Sequence, residues 1–164
     1  MSKKIRDFLI FILFAIAIVA VDQWTKWLVL ENIALYQQVK AIPGLFFLTY
    51  VQNTGAAFSS FEGMQWMFVL IFALLTAAVV YEYFKKPMEF TTFERWCIAA
   101  IYGGGLGNMI DRVRFGFVVD MIATDFMNFP VFNVADIFIT CGCIAMMFSL
   151  VFFNKRFWKE EKKN

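Results

Sequence analysis

Long apolar runs alternate with short polar stretches along the chain, and they predict four helices of membrane-spanning length. The first run is unbroken from Phe8 to Val21, and its helical character continues to about residue 30. A helix needs about 20 predominantly apolar residues to cross the hydrocarbon of a bilayer. The predicted spans are about 8–30, 65–84, 96–111 and 134–153. A single polytopic domain over residues 1–164 would use the whole chain.

Two longer stretches between these spans, 31–63 and 112–132, are predicted to be loops on one side of the membrane. In the first, a turn at Pro43-Gly44 precedes residues 45–51, which are rich in aromatic and β-branched types. This pattern predicts a short strand or hairpin. The second loop ends at Pro130 and Asn133, a combination typical of a helix start.

Composition places the chain among integral membrane proteins, because 61% of its 164 residues are hydrophobic and 20% are aromatic. Histidine is absent, which excludes Ser-His and Cys-His nucleophile pairs and imidazole metal sites. We expect no metal and no cofactor. Cys97, Cys141 and Cys143 lie within apolar stretches, so we interpret them as small core residues and not as a disulfide framework.

Basic residues are distributed unevenly, and their distribution predicts the orientation of the chain. All but four of the 15 lysines and arginines lie at the two termini or in the link 85–95. Because basic residues remain on the cytoplasmic side of a membrane, both termini are predicted to be cytoplasmic. The net charge of +2 is too small to indicate a nucleic-acid partner.

Four aspartates, Asp22, Asp111, Asp120 and Asp136, then fall near the outer ends of the spans or in the second outer loop. A charge in hydrocarbon costs about 2.5 to 3.5 kcal/mol, so such acids generally have a function. Two carboxylates that share a proton can hydrolyse an amide. The ionised one takes a proton from water, while the neutral one donates its proton to the carbonyl oxygen. Burial close together gives the unequal pKa values that these two roles need.

Two of the aspartates have structural alternatives to catalysis. Lys26 lies four residues after Asp22, the favourable order for an ion pair on one helix. Asp111 ends the third predicted span and has three possible partners, which are Arg112, Arg114 and Lys26.

Asp120 and Asp136 have no basic residue beside them in sequence, so they are the predicted catalytic pair. Asn53, Asn108 and Asn133 are neutral amides that could hold a peptide or orient a carboxylate, or could merely cap a helix or fill a turn. If Asn133 caps the fourth helix, Asp136 lies at its positive end, which favours the ionised form. We therefore expect Asp136 to be the base and Asp120 to hold the shared proton.

Five ordered blocks of the sequence resemble type II signal peptidases, and together they cover nearly the whole chain. The blocks are Asp22–Lys26, Asn53–Phe58, Gly104–Arg112, Val118–Asp120 and Phe132–Asp136. The resemblance departs from the family pattern in three places: Gly105 stands where alanine is common, Met121 where phenylalanine is common, and Ile137 where a small hydroxyl residue is common. These departures concern packing and not chemistry.

The resemblance implies a bacterial inner-membrane aspartic endopeptidase that cuts prolipoproteins before a diacylglyceryl-modified cysteine. It implies that Asp120 and Asp136 are catalytic, that residues 40–60 form a β-like cradle, and that 112–132 form a mobile flap. It also implies a monomer in contact with membrane lipids and inhibition by globomycin-type cyclic peptides. The other expected site residues bind substrate or support the pair, and they are Asn53, Gly55, Asn108, Arg112, Asn133, Asp22, Lys26, Asp111 and Ala135.

Two other classes of membrane protein compete with this interpretation. A small proton-coupled transporter or channel subunit could use membrane aspartates as a proton relay. Such a protein should have ionisable groups at several depths, whereas here they gather at one face. A structural membrane subunit would explain the glycines and aromatic residues but would leave Asp120 and Asp136 without a role.

Overall fold

The computed structural model describes residues 3–55, 65–84 and 90–154. Within these residues the chain forms four helices and one three-stranded sheet. In chain order these elements are α1 (Lys3–Asn32), β1 (Gln38–Ile42), β2 (Phe46–Asn53), α2 (Gln65–Phe84), α3 (Thr92–Phe115), β3 (Val118–Thr124) and α4 (Val134–Phe152). Parts of the predicted features lie outside the described residues, namely 56–63 of the first loop, 85–89 of the basic link and the basic residues from 155 onward.

The helices occur where the apolar runs predict them, but α1 and α3 are longer than expected. The N-terminus of α3 is formed by a capping box. The Thr91 side chain accepts a hydrogen bond from the backbone N–H of Glu94, and the Glu94 carboxylate accepts one from the backbone N–H of Thr91. Such a box satisfies backbone donors that an exposed helix end would otherwise leave open. The helix therefore begins at Thr92, before the apolar residues on which the prediction rested.

By length and composition, α4 meets the criterion for a membrane-crossing helix, and among the described helices it alone does so. Within α2, the apolar helix Trp66–Tyr81 is shorter. The prediction of four membrane spans is therefore not confirmed by this criterion, although the four helices themselves are present.

Helix α3 lies at the centre of the bundle and packs against α1, α2 and α4. Close approach depends on glycine, because a Cβ added to Gly104 would lie 2.5 Å from the carbonyl oxygen of Ala135 in α4. This contact brings the first turn of α4 against the middle of α3.

The sheet is antiparallel with the order β1-β2-β3. The β1–β2 hairpin, which turns at Gly44 with φ 76°, confirms the strand prediction in the first loop. The second loop was predicted wrongly in part, since residues 112–115 belong to α3 and 118–124 form β3. Strand β3 forms because it pairs with β2, with Asp120 opposite Val51, and this long-range pairing leaves little local signal.

Gly116 makes the tight change of direction from α3 into β3. It adopts the left-handed conformation, φ 81°, and its backbone N–H donates to the carbonyl of Arg112. Glycine adopts this conformation without the steric penalty of a Cβ. The turn places Asp111 and Asp120, which flank it in sequence, on adjoining elements.

The cysteine prediction is wrong for one residue. Cys97 is buried and Cys143 is half-buried, but Cys141 is exposed on α4. An apolar stretch in a membrane protein gives no indication of which helix face is turned inward, so the position of Cys141 was not predictable from composition.

Candidate active site

A buried lysine forms the floor of the site. Lys26 of α1 is 2% exposed, and its Nζ lies 2.8 Å from Asp22 Oδ2 and 2.9 Å from Asp111 Oδ2. The third donor reaches Asn108 Oδ1 at 2.9 Å. An ammonium has three donors, so Lys26 is fully satisfied. The predicted Asp22–Lys26 pair is confirmed, and Lys26 is the partner that Asp111 uses.

The two carboxylates of this triad also bind the backbone of neighbouring elements. Asp22 Oδ1 accepts from the backbone N–H of Ala135 at 2.9 Å, which fixes the first turn of α4. Asp111 Oδ2 accepts from the backbone N–H of Val119 at 3.1 Å, which fixes β3. The ion triad of Asp22, Lys26 and Asp111 thus joins α1, α3, β3 and α4, and it is connected to Asp136 through Asn108.

Asp120 lies on β3 and is 2% exposed. Its Oδ2 accepts from Asn53 Nδ2 at 2.9 Å, and its Oδ1 accepts from Asn133 Nδ2 at 2.7 Å. Burial away from water, together with the nearby charge of Asp136, raises the pKa of Asp120 from its ordinary value of 3.8 to about 7. The two amide hydrogen bonds oppose this rise only in part.

Asp136 lies in the first turn of α4 and is half-buried. Asn133 is the N-cap of this helix, as predicted, and forms a capping box with Asp136. The Asp136 Oδ2 accepts from the backbone N–H of Asn133 at 3.2 Å, while Oδ1 accepts from Asn108 Nδ2 at 2.7 Å. The partial positive charge at the N-terminus of α4 therefore lies beside this carboxylate.

Two asparagine side chains connect the aspartates to each other and to the ion triad. Asn133 Nδ2 donates to Asp120 and also to Asn108 Oδ1, at 3.1 Å. Asn108 Oδ1 accepts from Lys26 as well, so its amide nitrogen must be the group that faces Asp136. The charge of Lys26 therefore determines the orientation of Asn108, and Asn108 in turn constrains Asn133.

Arg112 lies at the edge of the site and contacts the chain after β2. Its Nη2 donates to the carbonyl of Gly55 at 2.8 Å, and its guanidinium stacks on the ring of Phe68, 4.5 Å from the centroid. The backbone N–H of Gly55 donates to Asn53 Oδ1 at 3.0 Å. This contact orients the Asn53 amide so that its nitrogen faces Asp120.

The structure brings all eleven predicted site residues into one connected network. Sequence reasoning missed Gln23, whose Nε2 donates to Asp111 Oδ1 at 2.8 Å and to the carbonyl of Gly107 at 3.2 Å. Its position within the first family-like block was the available signal. No cluster of three or more potential metal-ligating histidine, cysteine or acidic residues occurs in the described part of the chain.

A sequence profile of the family described as Signal peptidase (SPase) II matches residues 14–152, and that range includes every residue of this network. The chain belongs to the signal peptidase II family. This membership does not support the transporter or channel alternative. The match includes α1 from residue 14, the sheet and all of α4.

Streptococcal members of the signal peptidase II family match this chain over most of its length. The chain is 42% identical over 146 residues to a lipoprotein signal peptidase of Streptococcus thermophilus strain CNRZ 1066, covering 89% of this chain and 90% of the relative. It is 41% identical over 152 residues to one from Streptococcus pyogenes serotype M2, covering 93% and 95%.

Solved structures of bacterial membrane enzymes share the fold. One, determined by the in meso method at 2.3 Å resolution, superposes with a TM-score of 0.80 at 34% identity over 86% of this chain and 87% of that one. A second, at 1.9 Å resolution, gives 0.78 at 33% identity over 88% and 94%. The bundle with its sheet is therefore the fold of a membrane enzyme.

Proposed function

We propose that this signal peptidase II family member is an aspartic endopeptidase that removes signal peptides from prolipoproteins, with Asp136 as the base and Asp120 as the acid. The observation that supports the catalytic assignment is the position of Asn133. Its side chain bonds Asp120, and its capping box holds Asp136, so one residue keeps both carboxylates at the same edge of the bundle.

The two carboxylates differ in burial, and this difference suits one to be the acid and the other to be the base. Asp120 is buried with a raised pKa of about 7, so it carries a proton under mildly acidic to neutral conditions. Asp136 is half-buried and lies at the positive end of a helix dipole, and we assign it the role of the base. Such a difference allows two residues of the same type to perform opposite proton transfers.

Hydrolysis then proceeds in two steps without a covalent intermediate. Asp136 takes a proton from a water molecule, the resulting hydroxide adds to the scissile carbonyl carbon, and Asp120 donates its proton to the carbonyl oxygen. The tetrahedral intermediate collapses when the C–N bond breaks. The amine leaving group takes the proton from Asp136, and a hydroxyl proton of the intermediate returns to Asp120, which restores the starting state.

The polar groups at the edge of the site are suited to hold an extended peptide. Arg112 already binds one backbone carbonyl, that of Gly55, and a substrate carbonyl offers the same acceptor. Asn53 lies at the end of β2, beside Asp120. We assign these residues to substrate binding, and we assign Asp22, Lys26, Asp111 and the backbone of Ala135 to support of the catalytic pair.

The substrate is proposed to be a prolipoprotein whose cysteine carries a diacylglyceryl group, cut just before that cysteine. The described helices carry large apolar side chains on their outer faces that a water-soluble monomer rarely exposes. Examples are Leu13, Leu70, Leu74, Ile144 and Phe148, each more than half exposed. We propose that all four helices span the membrane, so that a lipid-anchored substrate reaches the site within the bilayer.

The proposed orientation has both termini in the bacterial cytoplasm and the site near the outer leaflet, because most basic residues of the sequence lie at the two termini or in the link 85–95. We propose that the enzyme acts as a monomer in this membrane. In the loop 112–132 that was expected to be a flap, residues 112–115 belong to α3 and 118–124 to β3, so we propose that only the part after β3 would move over the substrate. Globomycin-type cyclic peptides would compete for the site.

A cleavage assay with matched substrates tests the proposal. The purified full chain should cleave a diacylglyceryl-modified prolipoprotein and leave the same polypeptide uncleaved when its cysteine is unmodified. Globomycin should inhibit the reaction, and a chelator should not. Equal cleavage of the two substrates would contradict the proposed specificity, and inactivation by the chelator would contradict the metal-independent mechanism.

A further inference from the structure

A groove between α1 and α3 lies at the opposite end of the bundle from the candidate active site. Its volume is about 320 Å³, and its lining includes Arg6, Asp7, Ile10, Phe11, Arg95 and Trp96. About 16 Å of helix separates Phe11 from Asp22 at 1.5 Å per residue. The groove is therefore a separate feature, and no step of the proposed hydrolysis uses it.

The mouth of the groove carries an excess of positive charge. Arg6 Nε lies 3.6 Å from Asp7 Oδ1, and Arg95 Nη1 lies 3.4 Å from Asp7 Oδ2. Two guanidinium groups thus face one carboxylate, which leaves one positive charge. The Arg6 and Arg95 side chains are 58% and 38% exposed, so an anion can reach their remaining donors, and a planar guanidinium is well suited to bind phosphate oxygens.

The wall of the groove is apolar. Phe11 is 3% exposed and closes the groove from inside, while Ile10 and Trp96 are 40% exposed and form its outer edges. The Trp96 ring packs edge-on against Phe14 with centroids 4.8 Å apart. Tryptophan at the end of a membrane helix favours the headgroup level of the bilayer. Charged groups at the mouth and apolar groups along the wall match an amphipathic ligand.

We propose that this groove binds the headgroup of an anionic phospholipid from the cytoplasmic leaflet. The phosphate accepts from the donors of Arg6 and Arg95 that Asp7 leaves open, and the upper part of an acyl chain lies against Ile10, Phe11 and Trp96. Basic pockets between helices on the cytoplasmic side are suited to anionic headgroups. The proposal depends on the membrane orientation given above, and it is independent of the assignment of Asp120 and Asp136.

Native mass spectrometry of the full chain, released from detergent micelles with added lipid, tests this site. Phosphatidylglycerol should remain bound at lower lipid concentration than phosphatidylethanolamine, whose headgroup is zwitterionic. Arg6→Gln and Arg95→Gln should each weaken phosphatidylglycerol binding about fivefold, the effect of one basic group near an anionic surface. Lys40→Gln removes one charge from the exposed strand β1 and should leave binding unchanged.

Asp7→Asn provides a test in the opposite direction, because it removes the one carboxylate that neutralises the arginines. This variant should bind phosphatidylglycerol more tightly than the wild type. Cleavage of the modified prolipoprotein in detergent serves as the control for correct folding of each variant. Three results would each overturn the proposal: equal retention of the two lipids, an equal loss in Lys40→Gln, or displacement of the lipid by millimolar inorganic phosphate, which would indicate a site for a free anion.

Discussion

Nδ2 of Asn133 lies 2.7 Å from Oδ1 of Asp120. Because Asn133 is also the N-cap of α4, this single contact connects the strand that carries one candidate catalytic carboxylate to the helix that carries the other. It acts together with the Asn108 amide, which binds both Asn133 and Asp136, and with the hydrogen bonds by which Asp111 holds β3 and Asp22 holds α4.

Substitution of Asn133 separates its capping role from its role at the carboxylate. Asn133→Ala should lower the free energy of unfolding by about 1 kcal/mol, because the helix cap is lost. Asn133→Asp keeps a good cap but replaces the donor to Asp120 with an acceptor. We expect Asn133→Asp to melt below the wild type, because it buries a further carboxylate beside Asp120 and Asp136. We also expect kcat to fall at least about 100-fold, the scale of losing one positioned donor. A near-wild-type kcat in Asn133→Asp would contradict the role assigned to the donor.

The pH dependence of activity should report the titration of Asp120. Since the pKa of this carboxyl is raised to about 7, kcat/KM should fall about tenfold per pH unit above 7 as the proton is lost. Asn53 donates to the ionised form, so Asn53→Ala should move this alkaline limb to higher pH. Gln52→Ala, at the exposed neighbouring position of β2, should not move it, and an unshifted limb in Asn53→Ala would count against Asp120.

The Asp120 carboxyl group should also make the stability of the folded protein decrease as the pH rises. Its pKa in the folded protein lies above the ordinary value of 3.8, so the folded state binds the proton more tightly than the unfolded state. The contribution of Asp120 to stability is therefore fully present below pH 3.8 and is lost as the pH rises through 7. Melting curves from pH 4 to 8 should show this loss, and Asp120→Asn should show less of it. An identical pH slope in the variant would refute the raised pKa.

Infrared difference spectra in the carboxyl region can identify the protonated aspartate of the free enzyme. We expect a protonated carboxyl band at about pH 6 that is absent in Asp120→Asn and present in Asp136→Asn. The reverse pattern would exchange the acid and the base.

Removal of the buried cation should destabilise the whole bundle. Lys26→Met leaves Asp22 and Asp111 without their shared partner, and a buried charge that loses its partner costs about 3 to 5 kcal/mol. Lys40→Met at an exposed position should have little effect. A melting temperature of Lys26→Met equal to that of the wild type would show that the triad contributes nothing to stability.

Neighbouring glycines on α3 should respond differently to the same substitution. Gly104→Ala would place a methyl group 2.5 Å from the backbone carbonyl oxygen of Ala135, whereas Gly105→Ala would meet the end of the Phe72 ring at 2.9 Å. A side chain can rotate, but a backbone carbonyl in the first turn of α4 cannot move without Asp136. Gly104→Ala should therefore lose activity and stability, and Gly105→Ala should retain most of both. Equal tolerance of the two substitutions would contradict the close contact between α3 and α4.

Features that arise from local sequence were predictable. The apolar runs located the helices, Pro43-Gly44 located the hairpin, and the spacing of Asp22 and Lys26 predicted their ion pair. The helix cap at Asn133 could also be inferred from the residues around it. Each of these depends on contacts within a few positions along the chain.

Features that depend on distant contacts were not predictable in the same way. The sequence predicts a loop where strand β3 forms, because the pairing partner of this strand lies about 70 residues earlier in β2. The choice of Lys26 over Arg112 or Arg114 as the partner of Asp111 depends on the packing of α1 against α3. The orientation of Asn108 follows from that choice, since Lys26 occupies its oxygen. The candidate site residues could be proposed from the sequence, but the hydrogen bonds that connect them depend on the fold.

The most direct test of the account is the single-turnover rate of Asp120→Asn and Asp136→Asn with a diacylglyceryl-modified prolipoprotein, measured on protein whose melting curve shows that it is folded. Each variant should cleave at least about 10⁴-fold more slowly than the wild type, the scale expected when one member of a catalytic unit is removed. Cleavage at the wild-type rate by either variant would contradict the central claim that these two carboxylates hydrolyse the peptide bond together.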